Sequence, residues 1–159
     1  MICTSSHKGY NSILIKTVAI SGNRGKDEQY VGDCYMDLAP KKEFWRKWHD
    51  NLGKIDEIDN NKYYIEEYYK QVLSKLDPKK VYNDLDNSVL LCYESNYDFC
   101  HRHIVAAWLE LTLGVDVPEI IANGPKIDIV LRPAYIKEYL NEIMSKDKSK
   151  VKEKIIKRW

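Results

Sequence analysis

The sequence predicts an α/β fold, a single three-layer domain whose mostly parallel central sheet is flanked by helices. Two segments read as buried strands: Leu14–Ser21 is rich in β-branched residues, and Ser88–Glu94 is an apolar run without alternation. Other segments carry apolar residues at helical spacing. The strand–helix–strand order over residues 88–121 indicates a βαβ unit. We expect one α/β domain over residues 1–145, followed by a basic helical extension over 146–159.

The N-terminal part predicts three extended segments. Met1–Ser5 is short and opens apolar, which favours an edge strand. Leu14–Ser21 is expected to be a buried strand that stops at a polar loop containing Gly22 and Arg24. Asp33–Leu38 is expected to form another short extended piece.

Three helices are predicted next. Pro40 suits a helix start, and residues 41–52 place apolar side chains on one stripe. Asn60 is the predicted N-cap of the following helix, and Pro78 can begin a short helix that ends at Leu85. The stripe residues of the first two helices are Phe44, Trp45, Trp48 and Leu52, then Ile65, Tyr69, Val72 and Leu76.

The second half opens with the strand Ser88–Glu94. Asp98 is the predicted N-cap of the next helix, and Gly114 is its predicted C-cap. A strand is expected over residues 115–121, with Pro118 favouring an edge or a bulge. The last helix is expected to open at Pro133 and to bury Ile136, Leu140 and Ile143.

Composition excludes several classes of protein. The chain has 159 residues, 44% of them hydrophobic and 31% charged, so it is not a disordered sequence. No apolar run reaches the length of about 18 residues that a membrane span needs. The opening residues do not resemble a signal peptide. A chain of this size can build its own core, so we expect its four cysteines to be reduced and the protein to be cytoplasmic.

The net charge of +1 conceals an asymmetry. The segment Lys146–Arg158 carries seven basic and two acidic residues, a net charge of +5. Residues 1–145 therefore carry a net charge of −4, so the sequence combines an acidic body with a basic extension.

Polar and reactive residues follow the two predicted buried strands, where ligands bind in open α/β sheets. With Asp98 as N-cap, Cys100 lies in the first helical turn, where the helix dipole favours anions and lowers the pKa of a thiol. His101 can exchange protons near neutral pH, and Glu94 at the strand end can act as acid or base. The predicted catalytic residues are Cys100, His101 and Glu94, and the predicted ligand-binding residues are Arg102, Arg24, Cys92, Asp98 and Ser21.

Structural roles compete with these functions. Cys92 and Cys100 also fit core packing, and Arg102 can pair with Glu94 or Asp98. Zinc binding is an alternative role for Cys92, Cys100, His101 and His103. Cys3, His7 and Cys34 are candidates for further ligands of the same ion. The closely spaced cysteine pairs of structural zinc sites are missing, so no metal is predicted. A disulfide between Cys92 and Cys100 is disfavoured in a reducing compartment, and the sequence identifies no cofactor.

The segment Ser88–His103, SVLLCYESNYDFCHRH, resembles the signature "LLC-x-E … CHR" of the bacterial and phage family known as domain of unknown function 488. Tyr35–Pro40 is similar to the "Y-x-x-L-A-P" segment of that family, and Ile20, Ser21 and Arg24 resemble its strand and polar loop. The likeness covers roughly residues 1–121. It implies a small α/β domain and supplies no reaction.

Three functions remain open at this point. The first is a pocket that binds or processes a phosphate-bearing small molecule such as a nucleotide, with Arg102, Arg24 and the helix start holding the anion. The second is nucleic-acid binding through Lys146–Arg158. The third is a phage or mobile-element factor that binds a host protein through an exposed aromatic stripe. No membrane partner is expected.

Overall fold

The computed structural model describes residues 1–22 and 29–157. Seven strands form one mostly parallel sheet, and five helices pack with it, which confirms the predicted three-layer α/β class. The strands are β1 (Cys3–Ser6), β2 (Tyr10–Asn11), β3 (Lys16–Ala19), β4 (Asp33–Cys34), β5 (Ser88–Cys92), β6 (Glu119–Asn123) and β7 (Lys126–Val130). The helices are α1 (Lys42–Asp50), α2 (Glu57–Gln71), α3 (Pro78–Leu85), α4 (His101–Leu113) and α5 (Ala134–Lys157).

The sheet has the order β2-β6-β1-β5-β3-β4, and β7 pairs with β6 as the antiparallel strand. Strand β5 is bonded to β1 and β3, both parallel to it, and all five of its residues are buried. The prediction of a central strand over Ser88–Glu94 is thus confirmed in kind, although the strand ends at Cys92.

Strand β1 corrects a prediction. It lies between β5 and β6 with all four residues buried, so the expected edge position is wrong. Its polar side chains are tolerated because they are hydrogen-bonded inside the fold. Thr4 donates to Glu119, Ser5 donates to the carbonyl of Ile120, and Ser6 donates to Asn96.

Two predicted helix starts are also wrong. Asp56, not Asn60, caps α2 by accepting a hydrogen bond from the backbone N–H of Asp59. Asn60 is buried instead, and its amide donates to the carbonyl of Trp48 at 2.9 Å. At α4 the N-cap is Cys100 rather than Asp98. The predicted C-cap is confirmed, since Gly114 ends α4 in the left-handed conformation with φ +67°.

A hairpin replaces the single strand that was expected over residues 115–121. Strand β6 begins only at Glu119, and β7 returns along it after a turn at Gly124, which has φ +58°. The Asn-Gly pair before Pro125 is a sequence signal for such a hairpin. That helix begins at Ala134, directly after the predicted Pro133.

The larger hydrophobic core lies between the helices and one face of the sheet, which contributes Ile2, Val18 and Leu90. Helix α4 lies against β1 and β5, and α2, α3 and α5 pack on α4. A smaller cluster, which includes Val89, Leu91 and Ile120, covers part of the opposite face. Within the described residues, no helix is both long and apolar enough to cross a bilayer. The domain boundary predicted at residue 145 stays a prediction, since α5 runs unbroken to Lys157, exposed throughout from Ser145.

Candidate functional site

The ends of β3 and β5 and the start of α4 surround one cavity of about 680 Å³. This is the end of a parallel sheet where α/β proteins bind ligands. Of the predicted site residues, the structure brings Ser21, Cys92, Glu94, Cys100 and His101 together in its lining. Other residues of the described cavity lining were not predicted as site residues. They comprise the aromatic residues Trp45, Trp48, Tyr64, Tyr93 and Phe99 and the basic residues Lys42 and His49.

His101 has a fixed orientation at the cavity floor. Its Nε2 lies 2.9 Å from the carbonyl oxygen of Ile20, which can only accept, so Nε2 carries a hydrogen. Its Nδ1 therefore points toward the two cysteine sulfurs, 3.4 Å from Cys92 Sγ and 3.8 Å from Cys100 Sγ. Nδ1 is consequently the atom through which this imidazole exchanges protons or binds a ligand.

Titration of His101 reflects opposing effects. Burial lowers its pKa, whereas the neighbouring Cys100 and the hydrogen bond to Ile20 raise it, and the net direction is upward. An imidazole is a common general acid or base in proteins.

Cys100 differs from the sequence expectation. Burial raises the pKa of its thiol well above the usual value, and the contact with Cys92 adds to this effect. The expected lowering is therefore wrong, because Cys100 is 3% exposed and burial has the largest effect on the pKa of its thiol. As a thiol, Cys100 is a weak nucleophile.

Glu94 and Ser21 add polar groups beside the thiols. The Glu94 Oε2 atom lies 3.6 Å from Cys92 Sγ, and its half-buried carboxylate reaches the cavity. The hydroxyl of Ser21 is buried and has no hydrogen-bond partner among the residues that the structure describes. A buried hydroxyl in this state is a position where a bound polar group would gain a hydrogen bond.

Aromatic rings form the walls. Trp45 stacks on His49 with ring centroids 5.0 Å apart and planes 21° apart, and 37% of Trp45 is exposed. Phe99 packs against Tyr64 and Trp48 at centroid distances of 5.4 and 5.8 Å. The sequence spacing predicted Trp45 and Trp48 on a core stripe. Trp48 is buried in the hydrophobic core and also lines the cavity, whereas Trp45 is partly exposed and lines the cavity.

Arg102 lies outside this cavity. Its side chain is entirely buried and forms an ion pair with Glu119, with Nη2 2.9 Å from Oε2. It also donates to the carbonyls of Glu94 and Ser95, so it holds the loop that carries the Glu94 carboxylate. The guanidinium is thus unavailable to a ligand in the cavity, and its partner is neither Glu94's carboxylate nor Asp98.

Glu119 was missed by the sequence analysis, although one signal was present: an acidic residue stands at the start of an apolar strand. It is fully buried and accepts hydrogen bonds from Thr4 and Asn96 as well as from Arg102. Such complete pairing is what allows a carboxylate to be buried at all.

Asp98, another predicted ligand-binding residue, lies apart from the site. Asp98 is exposed, accepts a hydrogen bond from Ser95 at 2.9 Å and does not line the cavity. Asp98 does not cap α4 because the helix begins only at His101, which makes Cys100 the N-cap. Arg24 lies outside the described residues.

Comparison with known families identifies the class of the chain. The sequence profile described as "Active DUF488-N3 subclade" matches residues 4–113. The chain therefore belongs to the DUF488 family, as the resemblance around Cys92–Arg102 implied. Neither a curated protein nor a solved structure matches it.

Proposed function

We propose that the cavity binds a phosphate-bearing aromatic molecule, with a nucleotide as the first ligand to test, and that Glu94 and His101 exchange protons with it. The observation that carries this proposal is the combination of an aromatic-walled cavity, two basic side chains in its lining and a floor of titratable groups. Each part corresponds to a part of a nucleotide.

The aromatic walls suit a base. Trp45 is stacked on one side by His49 and is still more than one-third exposed in a cavity. Stacking of a base on an aromatic side chain contributes about 1–3 kcal/mol and tolerates any base. The walls therefore support binding of a planar ring without indicating which one.

The basic groups suit a phosphate. Lys42 and His49 both lie on α1 and line the cavity. The side chain of Cys100, the N-cap of α4, makes no capping hydrogen bond, and Cys100 also lines the cavity. Uncapped N–H groups at a helix start favour an anion and add to the attraction of a lysine.

The titratable side chains at the bottom of the cavity favour proton transfer over nucleophilic attack by a thiolate. His101 exposes Nδ1 to the floor, and Glu94 reaches the cavity beside it. The raised pKa of Cys100 means that its thiol keeps its proton, so it can donate a hydrogen bond but is a weak nucleophile. We therefore assign acid–base work to Glu94 and His101 and a supporting contact to Cys100.

Binding is tested by titrating the full chain with AMP, ATP, GTP, adenosine and inorganic phosphate while following tryptophan fluorescence. Nucleotides should bind more tightly than adenosine. Lys42→Ala should weaken nucleotide binding by about tenfold and leave adenosine unchanged, because one charge-assisted contact is lost. Arg46→Ala, an exposed charge on the same helix outside the cavity lining, is the matched control. Equal affinity for AMP and adenosine would contradict the phosphate assignment.

Turnover is tested on whichever nucleotide binds, by chromatography of the incubated ligand. Glu94→Gln should retain binding and lose product formation, since the amide keeps the shape of the side chain and cannot exchange a proton. A bound nucleotide that wild type leaves unchanged would restrict the site to binding.

The alternative of nucleic-acid binding has one supporting observation. The C-terminal part of α5 is exposed at every described residue from 145 to 157 and presents lysines from several directions. Non-specific contacts with phosphates need only such accessible charge. The alternative of a protein-binding aromatic stripe gains no such support, because Phe44 and Trp48 are buried and Trp45 faces the cavity.

A further inference from the structure

We infer that Cys92, Cys100 and His101 form a binding site for a single Zn²⁺ ion at the floor of the cavity. The Sγ atoms of the two cysteines and one ring nitrogen of His101 all lie within 4.8 Å of one another, and all three residues are buried. In the sequence, Cys92 and Cys100 lack the close spacing of the cysteine pairs in structural zinc sites, and zinc was therefore not predicted. The fold removes this objection by placing the end of β5 against the start of α4.

The distances agree with tetrahedral coordination. Zinc bonds of about 2.3 Å to sulfur and about 2.0–2.1 Å to nitrogen place S and N ligand atoms about 3.6 Å apart at a tetrahedral angle. Nδ1 of His101 lies 3.4 Å from Cys92 Sγ and 3.8 Å from Cys100 Sγ. The two sulfur–nitrogen distances therefore match those of a tetrahedral zinc site to within about 0.2 Å.

The surroundings of His101 support the same site. A histidine that binds a metal through one nitrogen almost always donates its other N–H to a carbonyl or carboxylate, which fixes the ring. Nε2 of His101 makes this bond to the carbonyl of Ile20 at 2.9 Å, so Nδ1 is directed at the two sulfurs. Two sulfurs and one imidazole nitrogen are a donor set that suits zinc.

The fourth position would face the cavity. Three protein ligands with one open position are typical of catalytic rather than structural zinc sites. Glu94 Oε2 lies 3.6 Å from Cys92 Sγ and Glu94 lines the same cavity, but it is not one of the three residues whose ligand atoms lie within 4.8 Å of one another, so we assign it no bond to the ion. With the ion bound, Nδ1 of His101 and both sulfurs are its ligands, so acid–base work in the site would belong to Glu94 alone. The site rests on and deepens the proposed function, since a Lewis acid would then lie beside the bound nucleotide.

The test uses the full chain, reduced, stripped of metal with a chelator and titrated with Co²⁺ in the absence of nucleotide. We expect about one equivalent to bind, with the strong visible bands of tetrahedral Co²⁺ and a sulfur-to-cobalt charge-transfer band, and Zn²⁺ should displace it. Cys92→Ser and His101→Gln should each lose at least about tenfold in affinity. Cys34→Ser, whose thiol lies on β4 away from the cluster, should keep the full signal.

Several results would overturn the zinc assignment. Wild-type protein that binds less than about a tenth of an equivalent excludes the site, and so does Co²⁺ uptake without a thiolate band. Equal loss in Cys34→Ser would place the metal elsewhere. The wild-type titration stands even where a variant fails to fold, which circular dichroism detects. Since no nucleotide is present, failure of metal binding leaves the nucleotide proposal intact, and failure of nucleotide binding leaves the metal site intact.

Discussion

The guanidinium of Arg102 and the carboxylate of Glu119 form an ion pair in which both side chains are completely buried. The pair joins α4 to β6, and the remaining N–H groups of Arg102 bind the carbonyls of Glu94 and Ser95. The loop that presents Glu94 to the cavity is therefore held in place by a buried residue that does not line the cavity. Arg102 is a positioning residue.

Removal of one partner of this pair should be strongly destabilising. Arg102→Ala leaves the Glu119 carboxylate buried without its counter-ion, and we expect a loss of about 3–5 kcal/mol in the free energy of unfolding, measured by urea denaturation. Lys80→Ala breaks an exposed ion pair with Asp84 on α3 and is expected to change stability far less. A loss in Arg102→Ala no larger than that of the control would show that the buried pair is not important for stability.

A separate readout addresses the positioning role of Arg102. Arg102→Lys keeps the positive charge but loses the hydrogen bonds that a planar fork makes to the two carbonyls. In protein that remains folded, we expect the maximal rate of turnover to fall while nucleotide affinity changes little, because the Glu94 loop shifts. Affinity and rate falling together would indicate a general loss of structure.

His103 should make the protein sensitive to acid. Burial, with the charges of Arg102 and Arg132, lowers the pKa of this side chain to about 2. The unfolded chain binds a proton on His103 near pH 6.5, whereas the folded chain does not until the pH approaches its own pKa. Stability from this residue is therefore complete above pH 6.5 and is lost as the pH falls from there, by up to about 1.4 kcal/mol per pH unit.

His103→Gln tests this dependence. Glutamine can still accept a hydrogen bond from Arg132 and donate one to the carbonyl of Asp98, but it does not titrate. Urea denaturation at pH 8 and at pH 5 should show a smaller acid-induced loss in the variant than in wild type. Equal losses would mean that His103 is not the group responsible.

Trp45 should contribute affinity for a base and none for a phosphate. Trp45→Leu removes the stacking surface and should weaken AMP binding by roughly 1–3 kcal/mol, measured by calorimetry because the substitution removes one of the two tryptophans in the described cavity lining. Ribose 5-phosphate has no base, so its weaker binding should be unchanged. A parallel loss for both ligands would show that the substitution deforms the cavity instead.

The basic end of α5 gives a prediction for nucleic acid. Replacing Lys148, Lys150, Lys152 and Lys154 by Glu in the full chain should abolish binding to a DNA duplex and remove its dependence on salt, because these residues release counterions from phosphates. The same change at Lys41, Lys47, Lys54 and Lys75 on the body is the control. Binding that depends on the body lysines rather than on α5 would contradict a role for the basic extension.

Local patterns were sufficient for much of the fold. The unbroken apolar run of β5 is recognisable because a strand buried on both faces needs no polar alternation. Gly114 is identifiable as a helix end because a left-handed residue favours glycine. The residues around Cys92 and Cys100 were also enough to indicate the family.

The remaining features depend on distant contacts. Nothing local shows that Glu119 neutralises Arg102 across 17 residues, that Asp98 leaves the cap to Cys100, or that β1 lies inside the sheet. The predicted shift of the Cys100 pKa had the wrong direction for the same reason: the pKa is raised by burial, and burial depends on the whole fold rather than on a helix start. The sequence by itself determined which reactive residues the chain carries and the α/β class in which they lie. Only the tertiary structure decided that Arg102 has a structural role and that Cys92, Cys100 and His101 lie together. The physical reason is that charge pairing and desolvation depend on contacts between residues that are distant in the sequence.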